Sequence, residues 1–242
     1  MDMTQALSVI EERSARLVAA AERGSLAAPV PSCPGWDVAE LLRHIGSVQR
    51  WSATMVERRI QSRLPRNDLP PPPPDAELVT WVRAGSAFLV KTLREADPAA
   101  PMWTWLGPGT VSYWARRQAH EVLVHAWDAQ DAHGIREPME PALAADGVDE
   151  LLTLVAAVKA DAARALAPAT VHLHCSDVKG EWLVHLGPPG MTVERIHKKG
   201  DVAAVGPAQQ LLLHLWGRLG TEGLTLFGDA AVLARFRELT AL

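Results

Sequence analysis

Cysteine is scarce in this chain. The two cysteines, Cys33 and Cys175, lie far apart and have no CxxC spacing. No disulfide framework is implied, although a single bridge between them stays open at the level of sequence. No run of about 18 apolar residues exists, so no membrane-spanning helix is expected. The N-terminal stretch MDMTQALSVIEERSARL carries acidic residues early and no basic segment ahead of an apolar core. It does not read as a signal peptide, and the expected location is cytoplasmic. Basic charge is not in excess: 24 Lys and Arg face 28 Asp and Glu, for a net charge of -4. The longest basic cluster is His197-Lys198-Lys199. A generic nucleic-acid or anionic-membrane binder is therefore not expected. Phe and Tyr are few, three and one, against nine Trp. There is no internal repeat, and no sizeable low-complexity tract apart from the prolines Pro70 to Pro74.

What is present fits an α+β protein. The 242 residues are 48% hydrophobic, enough for one large or two modest domains with a real core. Apolar positions recur at helical spacing over 3–23 and stop at Gly24. Asp37, with Glu40 three residues on, reads as a capping box for a helix over 38–62. The five prolines favour polyproline II and serve as a stiff connector or as a recognition ligand. Asp75 is expected to cap a helix over 76–96, and 97–110 to be a loop whose tryptophans could wall a pocket. A fourth helix follows over 111–133. Beyond it an Ala-rich helix (143–166) precedes strands at 169–175, 181–187, 191–197 and 202–205, where the period falls toward two. A helix to about 219, a short apolar piece and a helix over 229–239 close the chain. The order predicts an N-terminal four-helix bundle (1–140) and a small mixed α/β domain (141–242).

Glu121 and His125 carry the clearest chemical signal. At i and i+4 they share one helix face, with Cβ atoms roughly 6 Å apart, and can share a metal ion. On a helical wheel Arg117, Gln118, Glu121, His125 and Asp128 form one polar strip on an otherwise apolar helix. That strip is either a solvent edge or an inward-facing lining. His44 stands on the apolar seam of the second helix, between Leu41 and Val48, as a core histidine or as a third ligand. A His₂Glu set leaves a coordination position open, as catalytic zinc sites do. Asp128, one turn past His125, is placed to orient a ligating imidazole, or is a surface carboxylate. His120 points about 100° from Glu121. Cys33, near a helix N-terminus, is a reactive thiol or a loop-packing residue. His172, His174 and His185 alternate with apolar residues and are expected at solvent-facing positions, an incidental site being the other possibility for the two that share a face. Cys175 is expected in the core.

Two stretches resemble the mycothiol-dependent maleylpyruvate isomerase family. They are Pro31-Ser32-Cys33-Pro34-Gly35-Trp36-Asp37 with Leu41-Leu42-Arg43-His44-Ile45-Gly46, and His120-Glu121-Val122-Leu123-Val124-His125-Ala126-Trp127-Asp128. Leu215-Trp216-Gly217-Arg218 and Leu226-Phe227-Gly228-Asp229-Ala230 extend the likeness toward the end. The resemblance implies a DinB-like four-helix metal-binding domain followed by a smaller α/β domain, with His44, Glu121 and His125 as ligands, usually of zinc. It also implies mycothiol, the actinobacterial glutathione substitute, as the activated thiol. Thiol addition, isomerisation or S-transfer on a small electrophile would follow, with arginines holding acidic substrate groups. Arg218 is the candidate for that role, and Arg83 a second. The expected partners are therefore a small thiol and a small electrophile, the chain being a monomer or homodimer. A different class remains open: a non-catalytic small-molecule or lipid binder whose metal only staples the bundle, or a regulatory protein docking through its Trp-rich or proline-rich surface.

Overall fold

A computed structural model of the chain describes residues 1–65 and 68–241. Two compact units are present, Met1–Glu137 and Pro138–Leu242. The first contains four long helices, α1 (Met3–Arg23), α2 (Val38–Glu57), α3 (Leu78–Glu95) and α4 (Val111–Asp131). α1 begins with a reciprocal capping box between Asp2 and Gln5. At α2 only half of the expected box forms. Asp37 accepts from the Glu40 N–H at 2.8 Å, while the Glu40 carboxylate turns to Arg43 at 2.7 Å. α2 stops at Glu57, short of the expected 62, where Arg58 caps it and Arg59 adopts a φ of 50°. Residues 70–74 carry neither helix nor strand, and Pro74 is extended, with a φ of -57° and a ψ of 158°. Asp75 opens a 3-10 turn, Asp75–Glu77, rather than capping α3, and its carboxylate is taken by Arg43.

Around the bundle, α1 packs on α4 and α3, and α2 packs on α3 and α4. The α2–α4 pair therefore lies opposite the α1–α3 pair. The core is aliphatic, with Ile10, Leu17, Leu41, Leu42, Ile45, Leu89 and Leu93 fully buried. The region expected as a loop between α3 and α4 is a hairpin, β1 (Pro101–Thr104) against β2 (Gly107–Thr110). Its half-buried tryptophans, Trp103 and Trp105, pack against the bundle core. Trp51, Trp103, Trp105 and Trp114 form one cluster with ring centroids 4.8–6.4 Å apart. The buried Trp114 donates its indole N–H to the Trp103 carbonyl at 2.9 Å, tying the hairpin to α4. Trp114→Phe keeps an aromatic ring but loses that bond and some volume. We expect about 1–3 kcal/mol of destabilisation, read by denaturant unfolding; a loss below about 0.5 kcal/mol, typical of a surface change, would show that the hairpin is not anchored this way.

In the second unit the Ala-rich helix is two pieces, α5 (Pro141–Val158) and α6 (Ala160–Arg164), broken at Lys159. The expected strands are present as β3 (Ala169–Cys175), β4 (Glu181–Leu186), β5 (Thr192–Glu194) and β6 (Val202–Gly206), although β5 is much shorter than the expected 191–197. α7 (Ala208–Leu215) follows and stops short of the expected 219, with Trp216 as its C-cap and Gly217 at a φ of 77°; then come the apolar piece as β7 (Thr225–Gly228) and α8 (Ala230–Leu239). The sheet order is β5-β4-β3-β6-β7, with β3 parallel to β6 and the other neighbours antiparallel. α7 and α8 both pack on β3 and β6. Both cysteines are free thiols. Cys175 is buried, and burial pushes its pKa up to about 12. Among the described residues no helix is long and apolar enough to cross a membrane.

Candidate metal centre

The sequence left open which way the polar strip of α4 faces. It faces inward: Arg117, Gln118, His125 and Asp128 are all buried. α4 packs beside α2, and this brings His44 to the strip. His44 Nε2 lies 3.1 Å from Glu121 Oε1, and His125 Nε2 lies 3.6 Å from the same oxygen. The ligand atoms of His44, Glu121 and His125 are all within 4.8 Å of one another. Two ligands about 2.0–2.1 Å from a tetrahedral ion lie about 3.3–3.4 Å apart, and the observed contacts bracket that spacing. The donor set and its spacing thus fit a divalent ion. Among the described residues no fourth histidine, cysteine or carboxylate joins all three.

The surrounding groups hold this geometry. Asp128, fully buried, sits 2.9 Å from His125 Nδ1. With a proton on Nδ1 satisfying that contact, Nε2 is the nitrogen aimed at Glu121, where an ion would take the place of its proton. Asp128 is itself fixed by the Ser32 hydroxyl at 2.6 Å and the Cys33 thiol at 3.7 Å. Those two residues belong to the loop before α2, which is pinned by backbone bonds between Val30 and Trp36 and between Cys33 and both. Gly35 adopts a φ of 85°, a conformation that side-chain-bearing residues avoid. The same loop lays Trp36 against both imidazoles, with ring centroids 5.0 Å from His44 and 6.3 Å from His125. On the far side of Glu121, buried Arg117 donates to Oε2 at 2.7 Å and leaves Oε1 for the histidines.

The electrostatics favour one added positive charge. Burial pushes the His125 pKa down, but the hydrogen bonds and charges of Asp128 and Glu121 outweigh it and raise it to about 9. Burial likewise pushes Glu121 up, yet Arg117 and the two imidazoles hold it well below the usual carboxylate range.

Two family models match the chain. The mycothiol maleylpyruvate isomerase N-terminal domain covers residues 7–130, and the corresponding C-terminal domain covers 142–235. The chain belongs to this family. A crystal structure of the mycothiol-dependent maleylpyruvate isomerase is similar over 93% of both chains, with a TM-score of 0.66 and 14% identity. A histidine-to-alanine mutant of that isomerase matches equally well. At that identity the likeness is one of fold, the helical unit followed by a mixed helix and strand unit. No curated protein matches the chain significantly.

Arg83 is on α3 and grips both carboxylate oxygens of Glu22 on α1, at 2.7 and 2.8 Å. That is the face of the bundle opposite α2 and α4, so the structure does not bring Arg83 to the His44 group. Arg218 belongs to the second unit, where it donates to the Trp216 carbonyl at 2.7 Å and lies over the indole of the same residue. His120 is buried but stands outside the three-ligand group. Sequence reasoning assigned no role to Arg117, Ser32 or Trp36. The position of Arg117 one turn before Glu121 was a usable signal; the reach of Ser32 and Trp36 to α4 depends on tertiary packing.

Proposed function

We propose that this chain is a zinc-dependent, thiol-using enzyme of its family, with mycothiol as the thiol and a small electrophile as substrate. The convergence of His44, Glu121 and His125, with Asp128 behind His125, carries the reading. Zinc held there supplies positive charge that favours the thiolate form of a bound thiol. Asp128 fixes the tautomer and direction of His125. Arg117 neutralises Glu121 from its other oxygen and sets which oxygen faces the histidines. Trp36 forms an apolar wall that limits water around both rings. The absence of a fourth candidate ligand among the described residues favours a site with an open position over a closed structural one. The thiolate would then add to an activated double bond of the electrophile. Rotation about the resulting single bond and loss of the thiolate would give the isomer, whereas protonation of the adjacent carbon would keep the sulfur in an addition product.

In this reading the helical unit (1–140) activates the thiol and the α/β unit (141–242) contributes to holding the substrate. Arg218 is proposed to bind an acidic substrate group, whereas Arg83, engaged by Glu22, is not carried forward. The enzyme works in the cytoplasm as a monomer or homodimer. The test is turnover of maleylpyruvate by untagged protein with and without mycothiol and with and without zinc. Turnover should require both. Equal activity in the metal-stripped or thiol-free reaction would overturn the proposal.

Asp128→Asn separates positioning from ligation. Asparagine keeps the shape but removes the charge behind His125. Zinc affinity should fall about 10–100-fold, measured by competition with a chelator. An unchanged affinity would mean that Asp128 only packs the loop.

A further inference from the structure

The second unit contains another convergence of ligand-type side chains. On β3, Val171, Leu173 and Cys175 are buried on one face, and the alternation of the strand puts His172 and His174 on the other. β4 pairs antiparallel so that Glu181 stands opposite His174 and Leu183 opposite His172. His197, just beyond β5, reaches the same spot. The ligand atoms of His172, His174, Glu181 and His197 all lie within 4.8 Å of one another. The three imidazole rings are 5.3–6.0 Å apart and set edge-on. The Glu181 carboxylate is their common neighbour. It lies 2.7 Å from His197 Nδ1, 2.9 Å from His174 Nδ1 and 3.7 Å from His172 Nε2.

Hydrogen bonding accounts for only one arm of this arrangement, His197 Nδ1 against Glu181 Oε2 at 2.7 Å. His172 is only 6% exposed, contrary to the solvent-facing position expected from its alternation, and its Nε2 points into the cluster without a hydrogen bond. His174 Nδ1 is also buried without one, its approach to Glu181 being close but poorly directed. Leaving buried ring nitrogens unbonded is costly. An ion that accepts their lone pairs removes that cost. We propose that His172, His174, Glu181 and His197 form a second metal site, selective for a divalent transition-metal ion such as zinc. Three imidazoles and one carboxylate are borderline ligands of the type zinc, cobalt and nickel prefer, and calcium and magnesium do not. Four protein ligands close a tetrahedral sphere, so the site is structural rather than catalytic. Its effect is to fasten the segment around His197, the most exposed of the four, to the β3–β4 hairpin. Glu181 and His197 also line a cleft of about 620 Å³.

The test uses the full, untagged chain, stripped by chelation and titrated with zinc by calorimetry and with cobalt by visible absorption. Wild-type protein should bind two equivalents, and His125→Ala should keep one. In the His125→Ala background, His174→Ala should abolish the remaining equivalent. His197→Ala, a change at an exposed side chain that leaves the metal-free fold intact, should weaken it at least tenfold and diminish the tetrahedral cobalt bands. Zinc should also raise the unfolding temperature of His125→Ala protein, and this shift should shrink with His197→Ala. A single wild-type equivalent that disappears in His125→Ala would overturn the proposal. So would a second equivalent indifferent to both His174→Ala and His197→Ala, or one that binds only at millimolar zinc.

Discussion

Replacing His125 with alanine should empty the proposed metal centre of the helical unit and abolish thiol-dependent turnover. His125 is the best supported of the three proposed ligands, being buried, held at Nδ1 by Asp128 and facing Glu121 through Nε2. Removing it leaves one imidazole and one carboxylate, too few to hold zinc in competition with water and buffer. The affinity should therefore fall well beyond the roughly 10–100-fold that loss of an outer hydrogen-bonding partner produces. His44→Ala should act in the same direction. Its side chain is 23% exposed, so its removal disturbs the core little. Elemental analysis and turnover with mycothiol read both variants, and circular dichroism checks that helicity is kept. Full metal content together with wild-type turnover in His125→Ala would remove the basis for the proposed chemistry.

Much of this centre was legible in the sequence because its key residues sit on regular helices. The i, i+4 spacing of Glu121 and His125 fixes their common face, and His44 stands out as an imidazole on an aliphatic seam. Asp128 could be placed next to His125 by the same helical arithmetic. The contributions of Ser32, Cys33 and Trp36 were not legible, because they arrive from an irregular loop whose path depends on backbone bonds and on Gly35. In the fold, the β1–β2 hairpin was missed because Pro101-Met102-Trp103-Thr104 and Gly107-Pro108-Gly109-Thr110 show no alternation and are rich in turn residues. It is held by the tryptophan cluster, a tertiary effect that outweighs local preference. The early stop of α2 follows from the conformation of Arg59, which its side-chain type does not announce. For His172 and His174 the alternation gave the shared face correctly but not the burial. That burial depends on Glu181, a cross-strand neighbour, and on His197, which comes from beyond β5.

Arg117 and Glu121 should behave as one energetic unit. Both belong to α4, one turn apart, and the Arg117 side chain is 5% exposed against 17% for Glu121. A guanidinium this buried needs compensating charge, and breaking a buried pair from one side strands the other ion. In metal-free protein, Arg117→Met should cost about 3–5 kcal/mol, since Glu121 would face only the two imidazoles. Glu121→Leu should also destabilise the protein, because it removes the carboxylate to which buried Arg117 donates. The double variant Arg117→Met/Glu121→Leu strands neither charge, so its cost should fall short of the sum of the singles by about 0.5–3 kcal/mol. Chemical denaturation of the three variants closes the cycle. Zinc gives an independent readout. It should offset part of the Arg117→Met defect, because a cation at Oε1 takes over the neutralisation that Arg117 provides at Oε2. It should not rescue Glu121→Leu, which lacks the ligand. Strictly additive single-variant costs, or equal rescue of both by zinc, would show that Arg117 supports the fold without acting on the Glu121 carboxylate.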